Sequence, residues 1–309
     1  MTQEPIILGQ NTPYPLKGML TLPEGTGKFP AVVLVHGSGS SNMDEKVGKL
    51  TPFRDIALGL AERGVASLRY DKRSHAHGLK MLRDKTTVIT AREEAIDDAV
   101  AAAAFLRSHD RIDPERIFLI GHSMGGMLAP RIDCEGGDFR GLILMAGSPR
   151  RMEEILISQT EEALAGLPRF VRWLAGGQVA KLKRTFDGLY ELSDEAARAK
   201  KVGGGTTLYY FKEMGQTTVA EWLERTRKPM LILQGQRDVQ VKADLDFAMY
   251  RELLSGRDNV TFRLYEGLNH AFVPAVCNSI ADAKKEFATE RHIGADVLND
   301  IADWIRSCD

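Results

Sequence analysis

The apolar positions of this chain fall into short uninterrupted runs, and longer stretches with helical spacing separate most of them. Residues 16–22 read as an early strand that ends at Pro23-Glu-Gly25, and Ala31-Val-Val-Leu-Val35 reads as a strand buried on both faces. Residues 52–63 place Phe53, Ile56, Ala57 and Leu60 at helical spacing and stop at Gly64. Residues 65–70 predict the next strand, residues 91–108 an alanine-rich helix, and Arg116-Ile-Phe-Leu-Ile120 another buried strand. Further strands are expected at 141–146, 230–234 and 260–265, with a closing helix near 295–306. Alternation of this kind implies an α/β protein with a mostly parallel central sheet flanked by helices.

Residues 149–226 break the pattern. They show no buried-strand signal, only helical segments at 152–164 and 170–189, a Gly203-Gly-Gly205 break and the aromatic run Leu208-Tyr-Tyr-Phe211. The expected organisation is therefore a core of residues 1–148 and 227–309 with a helical cap, 149–226, inserted between two core strands. Open α/β sheets build their sites in the loops beyond the strand carboxyl ends, so a cap there would roof the site. Tyr209, Tyr210, Phe211 and Trp222 are its candidate pocket residues, although the same spacing also suits the cap's own core.

Composition narrows the function classes. With 309 residues, 43% hydrophobic and 27% charged, disordered and collagen-like chains are excluded. A net charge of -1, from 41 basic and 42 acidic residues, provides no field to draw nucleic acid or an anionic membrane, and suits a small neutral or weakly charged substrate. The first residues lack a basic start followed by a long apolar segment, and no later window approaches a membrane span, so a cytoplasmic protein without an export signal is expected. Cys134, Cys277 and Cys308 are odd in number and far apart, which suggests neither a disulfide framework nor a zinc knuckle. Homo-oligomerisation stays open.

The candidate chemistry centres on Gly121-His-Ser-Met-Gly125, which follows the strand at 116–120 and leads into small residues of helical character. This is the layout of a nucleophile elbow: the serine sits in a strained strand-to-helix turn, and glycine two residues before and after it avoids a Cβ clash. A serine hydroxyl becomes a useful nucleophile when a histidine takes its proton and a carboxylate fixes the histidine tautomer. Asp238 and His270 each follow a predicted core strand, and the order Ser123, Asp238, His270 suits this fold. His36 and His122 are expected to hydrogen-bond locally, His109 and His292 to be exposed helix residues. His75 and His77 lack the neighbours that metal-ligand spacing requires, so no metal is expected. The oxyanion donors should be the backbone amides of Met124 and of Ser38, in the loop His36-Gly-Ser-Gly39. Lys72 or Arg73 could recognise a substrate carboxylate, but an ion pair with Asp71 that fixes the loop is the preferred reading.

Val35-His-Gly-Ser-Gly39, Pro52-Phe-Arg-Asp-Ile-Ala57, Arg63-Gly-Val-Ala-Ser-Leu-Arg-Tyr-Asp-Lys-Arg73, Gly121-His-Ser-Met-Gly-Gly126, Gln234-Gly-Gln-Arg-Asp238 and Leu268-Asn-His270 together resemble the α/β-hydrolase superfamily. Within it the chain looks most like bacterial serine carboxylesterases of the EstD-like, dienelactone-hydrolase-related group. The likeness covers roughly residues 16–148 and 227–307 and thins across the cap. It implies an α/β-hydrolase fold, cleavage of a small-molecule ester with a short acyl group, the triad Ser123, Asp238 and His270, and no cofactor. Dienelactone hydrolases proper use a cysteine nucleophile, and serine at the elbow argues against that chemistry. Three other readings stay open. A thioesterase or acyltransferase would share the triad, and Arg150, Arg151, Lys181, Lys183 and Arg184 would give its cap a basic mouth. A peptidase would share the core, and a non-catalytic ligand-binding relative would keep only the fold.

Overall fold

The computed structural model describes residues 1–84, 88–203 and 205–308, without the side chains of residues 171, 174 and 175. Strands β1 (Thr2–Leu8), β2 (Leu16–Leu22) and β3 (Phe29–Val35) precede helix α1 (Pro52–Ala61), and β4 (Ala66–Tyr70) leads into α2 (Arg73–Arg83) and α3 (Asp97–Arg107). Strand β5 (Ile112–His122) runs into α4 (Met124–Ile132), and β6 (Leu142–Met145) closes the first part of the core. The segment that follows holds α5 (Met152–Ala165), α6 (Arg169–Ala175), α7 (Gly177–Phe186), α8 (Asp194–Ala199), the short strands β7 (Lys201–Gly203) and β8 (Thr206–Thr207), α9 (Leu208–Gln216) and α10 (Val219–Arg225). Then come β9 (Met230–Gly235), α11 (Ala248–Leu253), β10 (Val260–Tyr265) and α12 (Ala295–Ser307).

The main sheet has the order β1-β2-β4-β3-β5-β6-β9-β10. β2 pairs antiparallel with β1 and with β4, and every later pairing is parallel. Period-two alternation explains the uninterrupted apolar runs: Val32, Leu34, Phe118, Ile120, Leu231 and Leu233 belong to a core beneath α1 and α12, whereas Val33, Val35, Leu119, Leu144 and Ile232 belong to a core beneath α3 and α4. Each strand therefore needs apolar residues at both parities.

Four expectations are corrected. An edge strand, β1, lies where none is predicted; only Leu8 of its seven residues is buried, and its apolar residues are limited to positions 6–8. The expected helix at 91–108 begins with a π-helical turn, Arg92–Ile96, before α3. The expected helix at 170–189 is two helices divided at Gly176 and Gly177. The 149–226 segment also contains the two-stranded β7–β8 sheet, at the predicted glycine break, of which Gly204 lies outside the described residues.

The segment between β6 and β9 is tied to the core by charge. Asp246, fully buried, accepts from the Ser148 hydroxyl (2.6 Å), the Arg150 guanidinium (2.7 and 3.2 Å) and the Lys242 amide (2.8 Å). Arg131 of α4 pairs with Glu213 of α9, and its guanidinium lies over the Trp222 ring.

Candidate active site

The turn after β5 holds Ser123 at φ 53° and ψ -117°, a conformation that costs on the order of 1–3 kcal/mol for a residue with a side chain. Its neighbours show why glycine is required at 121 and 125. A Cβ on Gly121 would collide with the Gly125 carbonyl, and one on Gly125 with the Val35 carbonyl. The turn is pinned by the Ser123 amide, which donates to the Met145 carbonyl at 2.8 Å, and α4 starts at the next residue.

Asp238 and His270 meet at the ends of β9 and β10. The His270 Nδ1 lies 2.7 Å from Asp238 Oδ2, and the aspartate side chain is wholly buried. Gln234 Nε2 donates to the same oxygen at 3.0 Å, while the Gln240 and Val241 amides donate to Oδ1 at 2.8 and 3.0 Å. The loop bearing His270 is fixed through Asn269. Its Oδ1 accepts from the Ala271 and Val273 amides, and its Nδ2 donates to buried Glu286. Among the described residues no hydrogen bond joins Ser123 to His270. Their link runs through His122, whose Nε2 is 2.9 Å from the His270 carbonyl and whose ring lies 4.8 Å from the His270 ring.

Sequence reasoning missed the group behind this link. Glu45, buried and left-handed at φ 50°, accepts from the Gly37 amide at 2.8 Å and approaches His122 Nδ1 at 2.9 Å. Burial opposes both charges, but their attraction outweighs it, leaving the Glu45 carboxyl below its ordinary pKa and the His122 imidazole above its own. His122 and His36 do hydrogen-bond as expected, although the partners of His122 come from distant loops.

His36 behaves differently. Burial lowers it to about 4, against the pull of Glu45, so the ring is neutral and its Nε2 faces the Asn42 carbonyl at 3.0 Å. The unfolded chain protonates this group near 6.5, so between pH 6.5 and 4 it binds more protons than the folded chain. The contribution of His36 is thus fully present above the unfolded value and lost as pH falls toward 4, amounting to about 3 kcal/mol. Urea unfolding of wild type and His36→Gln at pH 7 and about pH 4 should show the smaller acid loss in the variant. Equal losses would remove His36 as the cause.

The loop after β3 stands against the elbow: a Cβ on Gly37 would lie 3.1 Å from Ser123 Cβ. Ser38, Ser123 and Met124 share the wall of one cavity of about 450 Å³. Neither the Ser38 nor the Met124 amide donates to another described group. Lys72 is not among the residues that line this cavity, and Asp71 is not its partner. The Lys72 Nζ, on a side chain only 2% exposed, donates to the Gly37 carbonyl (2.8 Å) and pairs with Glu94 (2.9 Å). Arg73 pairs with Asp98, Arg69 with Asp44, and Asp71 accepts from the Met43 amide.

The cavity is apolar along Met81, Met127, Met152, Ile155, Leu156 and Phe211, and polar along Ser38, Ser40, Ser74, Glu94 and Tyr210. Of the four predicted pocket aromatics it therefore takes Tyr210 and Phe211. Tyr209 and Trp222 are corrections. Successive helical residues point about 100° apart, so Tyr209 turns out under the Arg198 guanidinium at 4.3 Å. Trp222 has the Arg131 and Arg225 guanidinium groups over its ring and lines a separate small cleft. The basic residues of the predicted mouth are also elsewhere: Arg150 is held by Asp246, Arg151 lies over Tyr190 at 4.2 Å, Lys183 pairs with Glu161, and none of the five lines the cavity. His109 and His292 are not on helices; His109 follows α3 and His292 lies before α12, 3.0 Å from Asp55. Among the described residues no group of three or more His, Cys, Asp or Glu has metal-holding geometry, and no helix is long and apolar enough to cross a membrane.

Comparison with known proteins gives concordant results. The model of a family described as the alpha/beta hydrolase family matches residues 32–287. The chain is 33% identical over 290 residues to Esterase EstD of Thermotoga maritima; the match covers 94% of this chain and spans 65% of that relative's length. Among solved structures, Est1E from Butyrivibrio proteoclasticus is similar at a TM-score of 0.58 and 16% identity, covering 96% of this chain and 99% of that one. Proline iminopeptidase of Mycobacterium smegmatis is similar at a TM-score of 0.59 and 14% identity, covering 99% and 98%. At such identities these two likenesses concern the fold.

Proposed function

The chain belongs to the α/β hydrolase family, and from that premise we propose that it is a serine hydrolase that cleaves small carboxylic esters with short acyl groups. One observation carries this reading: an elbow that only glycine at 121 and 125 allows presents Ser123 to a cavity, while His270, bonded to buried Asp238, stands on the neighbouring loop. The esterase name of the Thermotoga relative supports the reaction class.

In this reading His270 Nε2 takes the Ser123 proton as Oγ attacks the ester carbon and the carbonyl electron pair moves onto oxygen. The Ser38 and Met124 amides receive that oxyanion, aided by the N-terminus of α4. Collapse expels the alkoxide, which takes the proton from His270 and leaves as alcohol. Water, deprotonated by His270, then attacks the acyl-enzyme; collapse breaks the acyl–Oγ bond, Ser123 Oγ takes the proton back from His270, and the acid leaves. The Ser123–His270 hydrogen bond forms in the Michaelis complex, since unoccupied sites are commonly looser than occupied ones. The segment between β6 and β9 acts as the cap, supplying Met152, Ile155 and Phe211 to the cavity.

The test is a series of p-nitrophenyl esters from acetate to laurate, run beside an acyl-CoA thioester and a proline amide. The expected kcat/KM is highest for acetate to butyrate, because about 450 Å³ must hold both halves of the substrate. Turnover confined to the thioester or the amide would replace this reading with the thioesterase or the peptidase.

A further inference from the structure

We propose that Lys72 is a positioning residue for the oxyanion site, aiming the Ser38 amide at the substrate through the peptide bond that precedes it. The inference rests on the serine-esterase reading above. It begins with the Gly37 residue, which is held at both ends: its amide donates to Glu45 at 2.8 Å and its carbonyl accepts from Lys72 Nζ at 2.8 Å. That carbonyl belongs to the same peptide unit as the Ser38 N–H. The unit is planar and, like every described peptide, trans, so its C=O and N–H point in opposite directions. Anchoring the carbonyl on a buried ammonium therefore fixes where the Ser38 amide points. Ser38 lines the cavity, and Gly37 abuts Ser123. The ammonium also draws charge toward the carbonyl oxygen, which strengthens the N–H of the same unit as a donor.

The surroundings of Lys72 suit this role better than packing alone. A buried ammonium is costly to desolvate, and an apolar side chain of that length would fill the space at no such cost. Here the charge is offset by Glu94 at 2.9 Å, and Glu94 is itself held by the Tyr210 hydroxyl at 2.7 Å. Glu94 sits on the π-helical turn before α3, the kind of helix irregularity that recurs at functional sites. Tyr210 comes from α9, and its hydroxyl lies 3.5 Å from the sulfur of Met124, whose amide is the other proposed donor. A chain of direct contacts thus runs from the insertion to both oxyanion donors.

The test compares wild type with Lys72→Met and with Lys72→Met/Glu94→Gln, which leaves no unpaired buried charge if the single variant unfolds. Four quantities are read: the kcat and the KM of p-nitrophenyl acetate, the affinity for a trifluoromethyl ketone whose adduct with Ser123 carries an oxyanion, and the affinity for acetate ion. Misaiming a donor costs less than removing one, so kcat should fall about 10- to 100-fold with KM within about threefold. Ketone affinity should fall in step with kcat/KM while acetate affinity holds. A folded variant that keeps wild-type kcat, or that loses ketone and acetate affinity equally, overturns the inference and leaves the esterase reading intact. A wild type with no turnover and no ketone binding overturns both.

Discussion

Ser123→Ala should lower kcat/KM for p-nitrophenyl acetate by about 10⁴- to 10⁶-fold, and should abolish the single fluorophosphonate adduct expected on the wild type by intact-protein mass spectrometry. The size of the effect follows from what the substitution leaves behind. The cavity and the amide donors remain and can still bind the ester, but no oxygen attacks it, so only binding and electrostatic preorganisation contribute. Alanine keeps the Cβ, and so inherits the same left-handed strain at φ 53°. The urea midpoint should therefore stay close to that of the wild type, which separates lost chemistry from lost folding. Turnover within tenfold of wild type would move the nucleophile to another residue.

Asp238→Asn should cost about 10⁴-fold in kcat while preserving the shape of the site. Asp238 Oδ2 now accepts from both Gln234 Nε2 and His270 Nδ1. An asparagine whose Oδ1 keeps the Gln240 and Val241 amides turns its own NH₂ toward those two donors. His270 then gains most by accepting at Nδ1, which places its proton on Nε2 and leaves that nitrogen unable to act as a base. Fluorophosphonate labelling should slow in parallel with kcat, because both reactions need an activated serine. A variant that labels at the wild-type rate would show that the aspartate holds the loop rather than the tautomer.

What could be seen in the sequence, and what could not, divides along the range of the interactions concerned. The strands at 31–35, 116–120 and 230–234 were legible because helices cover both faces of the sheet and force continuous apolar runs. The elbow was legible because its steric demand falls on Gly121 and Gly125, two residues from the serine. The edge strand at 2–8 carries Pro5 and a single buried residue, and its apolar residues are confined to positions 6–8, too few to mark a strand. The charged stretch at 69–73 misled because local proximity suggested Asp71, whereas its cations pair with Asp44, Glu94 and Asp98, all more than twenty residues away. Glu45 offered least of all. It lies in an irregular polar loop, and only the folded chain brings it to Gly37 and His122. For Lys72 there was a usable signal, a cation directly after a core strand at the carboxyl edge where sites form, but its role depends on a carbonyl and not on a ligand.

The apolar wall of the cavity includes Met81, Met127 and Met152, and Met124 lies beside the serine. Unbranched thioethers bend around guests of different outline at little cost, so this wall favours tolerance among guests over selection of one. It also gives the protein a chemical weakness that serine catalysis does not have. Peroxide that reaches the cavity can turn these sulfurs into polar, chiral sulfoxides, so exposure to oxidants would reshape the cavity before it touched the Ser123 hydroxyl proposed as the nucleophile.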